Sequence, residues 1–186
     1  MNDPTPATPD RQQPVLVVMG ISGTGKSTVA GLLAGRLNWS FEEGDDLHPM
    51  RNVMKMAEGT PLTDDDRWPW LDRVAEWIHS QVDAGEPGII TCSALRKVYR
   101  DRLRGDDPRH IVFVHLAGSR ETIGKRLAAR TDHFMPTSLL DSQVATLEPP
   151  GPDEHALTVD VGRRAADEVD EIIERLDLRP LTRATD

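Results

Sequence analysis

The chain of 186 residues is poorest in cysteine and tyrosine, with one of each, and it has no long apolar run. A lone thiol, Cys92, excludes an internal disulfide and fits a reducing cytoplasm. The longest apolar stretches, such as Val15–Met19 and Ile111–Val114, are far too short to cross a bilayer, so no membrane partner is expected. Positive charge is also scarce, with 22 Lys and Arg against 31 Asp and Glu, a net charge of -9. Such a chain gains no counterion-release attraction to DNA or RNA, which excludes nucleic acid as the main partner. A small anionic ligand would need a basic pocket set against the overall field. No His and Cys spacing resembles a zinc site, and Cys92 reads as a small core residue.

Residues 1–13 carry Pro4, Pro6 and Pro9 and no apolar segment of a signal peptide, and read as a disordered tail. Residues 181–186 read as a flexible tail. Between them, residues 14–180 form one unit in which short β-branched runs alternate with helix-period stretches. The runs Val15–Met19, Trp39–Glu42, Gly88–Cys92, His110–Leu116 and Ala156–Val161 predict five parallel strands. Val29, Leu32, Leu33 and Leu37 share a helical face, as do Leu71, Val74, Ile78 and Val82. Val169, Ile172, Ile173 and Leu176 mark a C-terminal helix, and Leu139, Leu140, Val144 and Leu147 a shorter one. Thr63 and Asp66 form a capping box, while Pro69 argues that the helix proper starts near it. The class is α/β, one doubly wound domain.

Gly20-Ile21-Ser22-Gly23-Thr24-Gly25-Lys26-Ser27 fits the phosphate-loop pattern G-x-x-x-x-G-K-[ST], directly after the first strand, with Thr28 continuing into a helix. The glycines let successive N–H groups turn inward onto phosphate oxygens, and the helix end adds its positive dipole. Lys26 can reach the β- and γ-phosphates, and the Ser27 hydroxyl can hold Mg²⁺. A nucleoside triphosphate with Mg²⁺ follows as the expected ligand. The second strand ends in Glu42-Glu43-Gly44-Asp45-Asp46, at the sheet edge where ligands bind. Asp45 there either takes a proton from an acceptor hydroxyl or caps the next helix. Arg126 and Arg130 are one turn apart, and either cover the phosphates or form a solvated basic helix end.

The segment Gly44-Asp45-x-x-His48-Pro49-x-x-Asn52, then Lys55-Met56, Gly59 to Arg67 and Pro69-Trp70-Leu71, resembles the gluconate kinase (gluconokinase) family. The resemblance continues through Cys92-Ser93-Ala94-Leu95-Arg96-Lys97, Tyr99-Arg100, His133-Phe134-Met135, Ser142-Gln143 and Thr146-Leu147-Glu148. It runs in family order from Val15 to about Ile173. It implies a P-loop kinase three-layer fold with a central five-stranded parallel sheet and a lid around residues 120–150. It also implies transfer of the ATP γ-phosphoryl group to the 6-hydroxyl of D-gluconate, in the cytoplasm, by a homodimer.

Carried over, the family makes Lys26, Asp45, Arg126 and Arg130 catalytic. His48, Arg51, Lys55, Ser93, Arg96 and His133 would line the acceptor pocket with Asp45. Glu43 would join Ser27 at Mg²⁺, although many members have Asp at that position. Arg51 or Arg96 suits the gluconate carboxylate, because a guanidinium meets it through two parallel bonds. Kinases for shikimate or nucleoside monophosphates share the phosphate loop but not the His48-Pro49 and Cys92 to Leu95 segments. A GTPase would need an Asn-Lys-x-Asp segment, which the chain does not have.

Overall fold

The computed structural model describes residues 12–106, 109–129 and 137–182. Five strands, β1 (Val15–Met19), β2 (Ser40–Glu43), β3 (Gly88–Thr91), β4 (Ile111–Ala117) and β5 (Ala156–Asp160), form one sheet. All pairings are parallel, in the order β2-β3-β1-β4-β5. Seven helices are described: α1 (Lys26–Leu37), α2 (Met50–Ala57), α3 (Asp64–Ala84), α4 (Lys97–Arg104), α5 (Arg120–Ala128), α6 (Thr137–Thr146) and α7 (Ala165–Leu176). A short 3₁₀ turn spans Gly44–Leu47.

Strand alternation sorts β1 between two cores. Leu16 and Val18 pack with Val29, Leu33 and Leu37 of α1 and Val169 and Ile172 of α7. Val15, Val17 and Met19 pack on the opposite face with Trp70, Leu71, Val74 and Ile78 of α3 and with Tyr99 and Leu103 of α4. This is the expected three-layer arrangement. The chain leaves central β1 for edge β2, returns to β3 beside β1, and then crosses to β4 on the other side. The carboxyl end of β1 therefore lies at the topological switch point, where open α/β sheets bind ligands.

Four local expectations shift. Trp39 does not start β2. It is 5% exposed in the first core, and its indole N–H donates to Arg179 O at 3.1 Å. Helix α3 begins at Asp64, five residues before Pro69. Its N-terminus is set by the capping box, in which Thr63 Oγ1 accepts from Asp66 N–H and Asp66 accepts from Thr63 N–H. One missing backbone donor in the second turn does not outweigh that cap and the Trp70–Ile78 stripe. Leu32 leaves the buried face of α1 at 39% exposure, and Val144 leaves that of α6 at 41%. Cys92 is 1% exposed, as expected of a core residue.

Thr63→Ala removes the reciprocal cap and should cost about 1 kcal/mol of stability. Urea denaturation should show a lower midpoint with an unchanged slope.

Candidate active site

The loop after β1 curls because three glycines, Gly20, Gly23 and Gly25, adopt positive φ. At Gly23, φ is +84°, and an added Cβ would lie 2.7 Å from Leu127 Cγ on α5. Thr24 Oγ1 and Lys26 Nζ both donate to Ile21 O, at 2.9 and 3.1 Å, which closes the turn. Ser27 and Thr28 are exposed on the first turn of α1. Ser22 N–H donates to Gln143 Oε1 on α6 at 2.7 Å, so that helix reaches the loop directly.

Arg126, from α5, donates to Thr24 O at 3.1 Å and to Val161 O, and pairs with buried Glu168 at 3.5 Å. Burial pushes the Glu168 carboxyl up, against the pull of Arg126. A cleft of about 320 Å³ opens here, lined by Gly23, Gly25, Thr28, Arg126, Ala165 and Glu168 among others. Strand β5 does not line this cleft, and its Leu157 and Val159 belong to the core.

The second half of the site is pressed against the end of β3. A Cβ on Gly44 would sit 1.9 Å from Thr91 O, so only glycine allows this approach. Gly44 N–H donates to Thr91 Oγ1 at 3.1 Å, the Thr91 hydroxyl donates to Glu43, and Trp70 Nε1–H donates to Gly44 O at 2.7 Å. These bonds fix the strand end that carries Asp45, whose side chain is 71% exposed. The adjoining helix α2 has Pro49 at its N-cap and no side-chain cap, so Asp45 and Asp46 do not cap it. The Cys92 thiol, pushed up to about 12 chiefly by burial, also feels Asp45 and Lys26. Those two opposite charges therefore lie around one strand end.

His48 stacks on Trp70 with ring centroids 4.1 Å apart, and its side chain is 3% exposed. Buried Asn52 donates through Nδ2 to Asp66 O at 2.8 Å, and the same nitrogen lies 3.2 Å from His48 Nδ1. An amide nitrogen can only donate, so the neutral ring accepts at Nδ1 and carries its proton on Nε2. Nε2 faces Asp45 Oδ1 at 3.9 Å. Lys55 is half-buried, with Nζ on Asp66 Oδ2 at 2.7 Å, and Arg51 is exposed on α2.

Ser93 is half-buried beside β3, and Arg96 pairs with Asp64 at 2.8 Å and with Glu148 at 3.5 Å. Asp64 also holds Arg67 at 3.4 Å and accepts from the Tyr99 hydroxyl. The Tyr99 bond, and then the two guanidiniums, lower the Asp64 carboxyl below its usual range. Arg130 and His133 lie outside the described residues.

The structure thus brings together the phosphate loop, Asp45, His48, Ser93 and Arg96 at one sheet edge. It adds Asp64, and it gives contacts to Asn52 and Gln143, which the sequence reading named only within matched segments and without a role. In the sequence Asp64 stands only within the Gly59 to Arg67 segment, and no periodicity marks a residue that works by crossing between elements. Among the described residues no group of three or more His, Cys, Asp or Glu could hold a metal. The hard oxygens of Ser27 and Glu43 fit Mg²⁺ all the same, since that ion keeps waters and relies on substrate phosphates.

A phosphate loop on the central strand, with a second cluster of charged and polar groups at the same sheet edge, defines a P-loop kinase. Residues 15–150 match a family model described as an AAA domain. A gluconokinase of Gluconobacter oxydans is 57% identical over 144 residues, 77% of this chain and 80% of that one. The thermoresistant gluconokinase of Escherichia coli is 44% identical over 156 residues, 83% of this chain and 89% of that one. The crystal structure of a gluconokinase from Sinorhizobium meliloti superposes with a TM-score of 0.82 at 45% identity, covering 90% of this chain and 94% of that one. The chain belongs to the gluconokinase family.

Burial, and secondarily Arg67, lower the His48 pKa from 6.5 to about 4, and burial also lowers that of His115. Between pH 6.5 and 4 the unfolded chain therefore binds protons that the folded chain does not, so stability falls as pH falls. His48 accounts for about 3 kcal/mol of that loss at most. Urea midpoints measured from pH 7 to 4.5 should drop steadily, and His48→Gln should flatten the decline.

Proposed function

We propose that this chain transfers the γ-phosphoryl group of ATP to the 6-hydroxyl of D-gluconate, giving 6-phospho-D-gluconate and ADP. The observation that carries this reading is the meeting of the phosphate loop with the Asp45 and Ser93–Arg96 segments at one sheet edge. The 57% identity to a gluconokinase names the acceptor.

The loop amides and Lys26 bind and orient the triphosphate, and the α1 dipole points at it. Asp45 takes the proton of the 6-hydroxyl as its oxygen bonds to the γ-phosphorus and the bond to the β-phosphate oxygen breaks. Arg126 steadies the loop through Thr24 O and lies against the nucleotide cleft. Ser93, Arg96 and Arg51 supply the polar and cationic contacts that a polyol carboxylate needs, with Lys55 and His48 behind them. Arg130 belongs to the same reading as a lid residue over the phosphates, and His133 as part of the acceptor pocket. Mg²⁺ would be held by Ser27 and Glu43 with the phosphates, and supplies neutralisation of phosphate charge. Positioning and fixed charge do most of the work.

No helix among the described residues is long and apolar enough to cross a membrane. A cytoplasmic homodimer completes the reading.

ADP release should be fast with gluconate and negligible with shikimate or nucleoside monophosphates, and Lys26→Ala should lower turnover about 10²-fold or more. Activity with shikimate and none with gluconate would overturn the acceptor. Asp45→Asn should cut kcat while leaving the ATP KM within about twofold, as expected of a group acting on the acceptor. An unchanged kcat with a raised ATP KM would remove Asp45 from that role.

A further inference from the structure

Arg100 is fully buried on α4, at 0% exposure, and has no part in the chemistry described above. Its guanidinium grips Glu154 through two parallel bonds, Nε to Oε2 at 2.6 Å and Nη2 to Oε1 at 2.9 Å. The remaining nitrogen, Nη1, donates to Ala94 O at 2.9 Å and to Leu95 O at 3.3 Å. Those carbonyls sit between Ser93 and Arg96, the two acceptor-facing residues of the loop after β3. Ala94 has φ +45°, a left-handed conformation that an L-residue keeps only where its surroundings impose it.

The neighbouring backbone groups are held as well. Ser93 O accepts from Gly20 N–H of the phosphate loop at 3.3 Å, and Leu95 O also accepts from Glu148 N–H at 2.8 Å. Three successive carbonyls are therefore tied, one to the phosphate loop, one to Arg100, and one to Arg100 and Glu148. Glu154 is fixed in turn, since its Oε1 accepts from Gly151 N–H at 2.9 Å and Arg104 approaches Oε2 at 3.7 Å. The pairing with Arg100 lowers the Glu154 carboxyl to about 2, so the charge pair persists throughout the physiological range.

We infer that Arg100, anchored by Glu154, is a positioning residue that sets the acceptor loop and so governs affinity for gluconate without touching it. A buried ion pair is weak evidence for a stabilising role, because well-packed apolar residues often replace one without loss. The two carbonyl bonds, by contrast, are something no apolar side chain can supply, and a lysine ammonium cannot span them together with a bidentate carboxylate. The inference rests on Ser93 and Arg96 facing gluconate, which Ser93→Ala tests separately.

The deciding variant is the pair Arg100→Met with Glu154→Met, which removes both charges and both carbonyl bonds together. Its melting temperature should fall only modestly, because the charges leave as a pair and the Ala94 carbonyl alone loses its donor. The gluconate KM should rise about tenfold or more while the ATP KM stays within about twofold, because only acceptor positioning is lost. Arg100→Lys keeps the buried charge balanced, carries the same expected split, and decides the matter should the double variant fail to fold. If both KM values move together, or neither moves while Ser93→Ala raises the gluconate KM, Arg100 is only a structural residue and the inference is overturned. If Ser93→Ala leaves the gluconate KM unchanged, the loop does not face the acceptor and the inference falls with that assignment.

Discussion

Two backbone hydrogen bonds join the halves of this enzyme. Cys92 N–H donates to Val18 O at 3.0 Å, and Gly20 N–H donates to Ser93 O at 3.3 Å. They extend the β1–β3 ladder one step past the strands, into the two loops that carry the chemistry. Parallel register then does the rest, since Thr91 pairs with both Val18 and Glu43 and brings three strand ends level. The phosphate loop and the loop after β3, which could have drifted apart, share one rigid edge. For phosphoryl transfer, where alignment supplies much of the rate, that rigidity is the main structural requirement.

The electrostatics follow a consistent pattern on this frame. In a chain with net charge -9, cations near the sheet edge rest on carboxylates. Arg96 lies between Asp64 and Glu148, and Lys55 rests on Asp66. Exposed pairs of this kind add little to stability, at most about 1 kcal/mol each. Their larger effect is orientational, because a long side chain held at its tip arrives already aimed. Arg67 and Arg96 both lie over the Tyr99 ring, at 5.6 and 5.5 Å, which narrows their rotamers further.

Much of this was legible in the sequence, and the reasons differ by element. The five strands and the phosphate loop are written in contiguous residues, and the α3 cap in a pair three apart, so local pattern reveals them. Helix α4 is not readable that way, because its buried face is Tyr99, Arg100 and Leu103, and an arginine in that position looks like surface. Helix α2 hides for the opposite reason, since Met50, Val53 and Met54 look like core and are exposed. Within the site, residue types could be named, but not their partners. That Arg96 meets Asp64, that Asn52 orders His48 and that Gln143 reaches Ser22 depend on contacts spanning 4 to 121 positions. Side-chain volume and charge along a sequence carry no record of such pairings.

Gly23 shows how a general motif acquires local rules. Its position is a wildcard in the phosphate-loop pattern, open in principle to any residue. Here the backbone turns through φ +84°, and Leu127 already fills the space a side chain would take. Ile21, Ile123, Leu140 and Leu127 form a small apolar cluster around that contact, joining the loop to α5 and α6. Variation at position 23 is thus policed by a helix a hundred residues away. A graft of this loop onto another scaffold would keep the phosphate grip while discarding the reason for its second glycine.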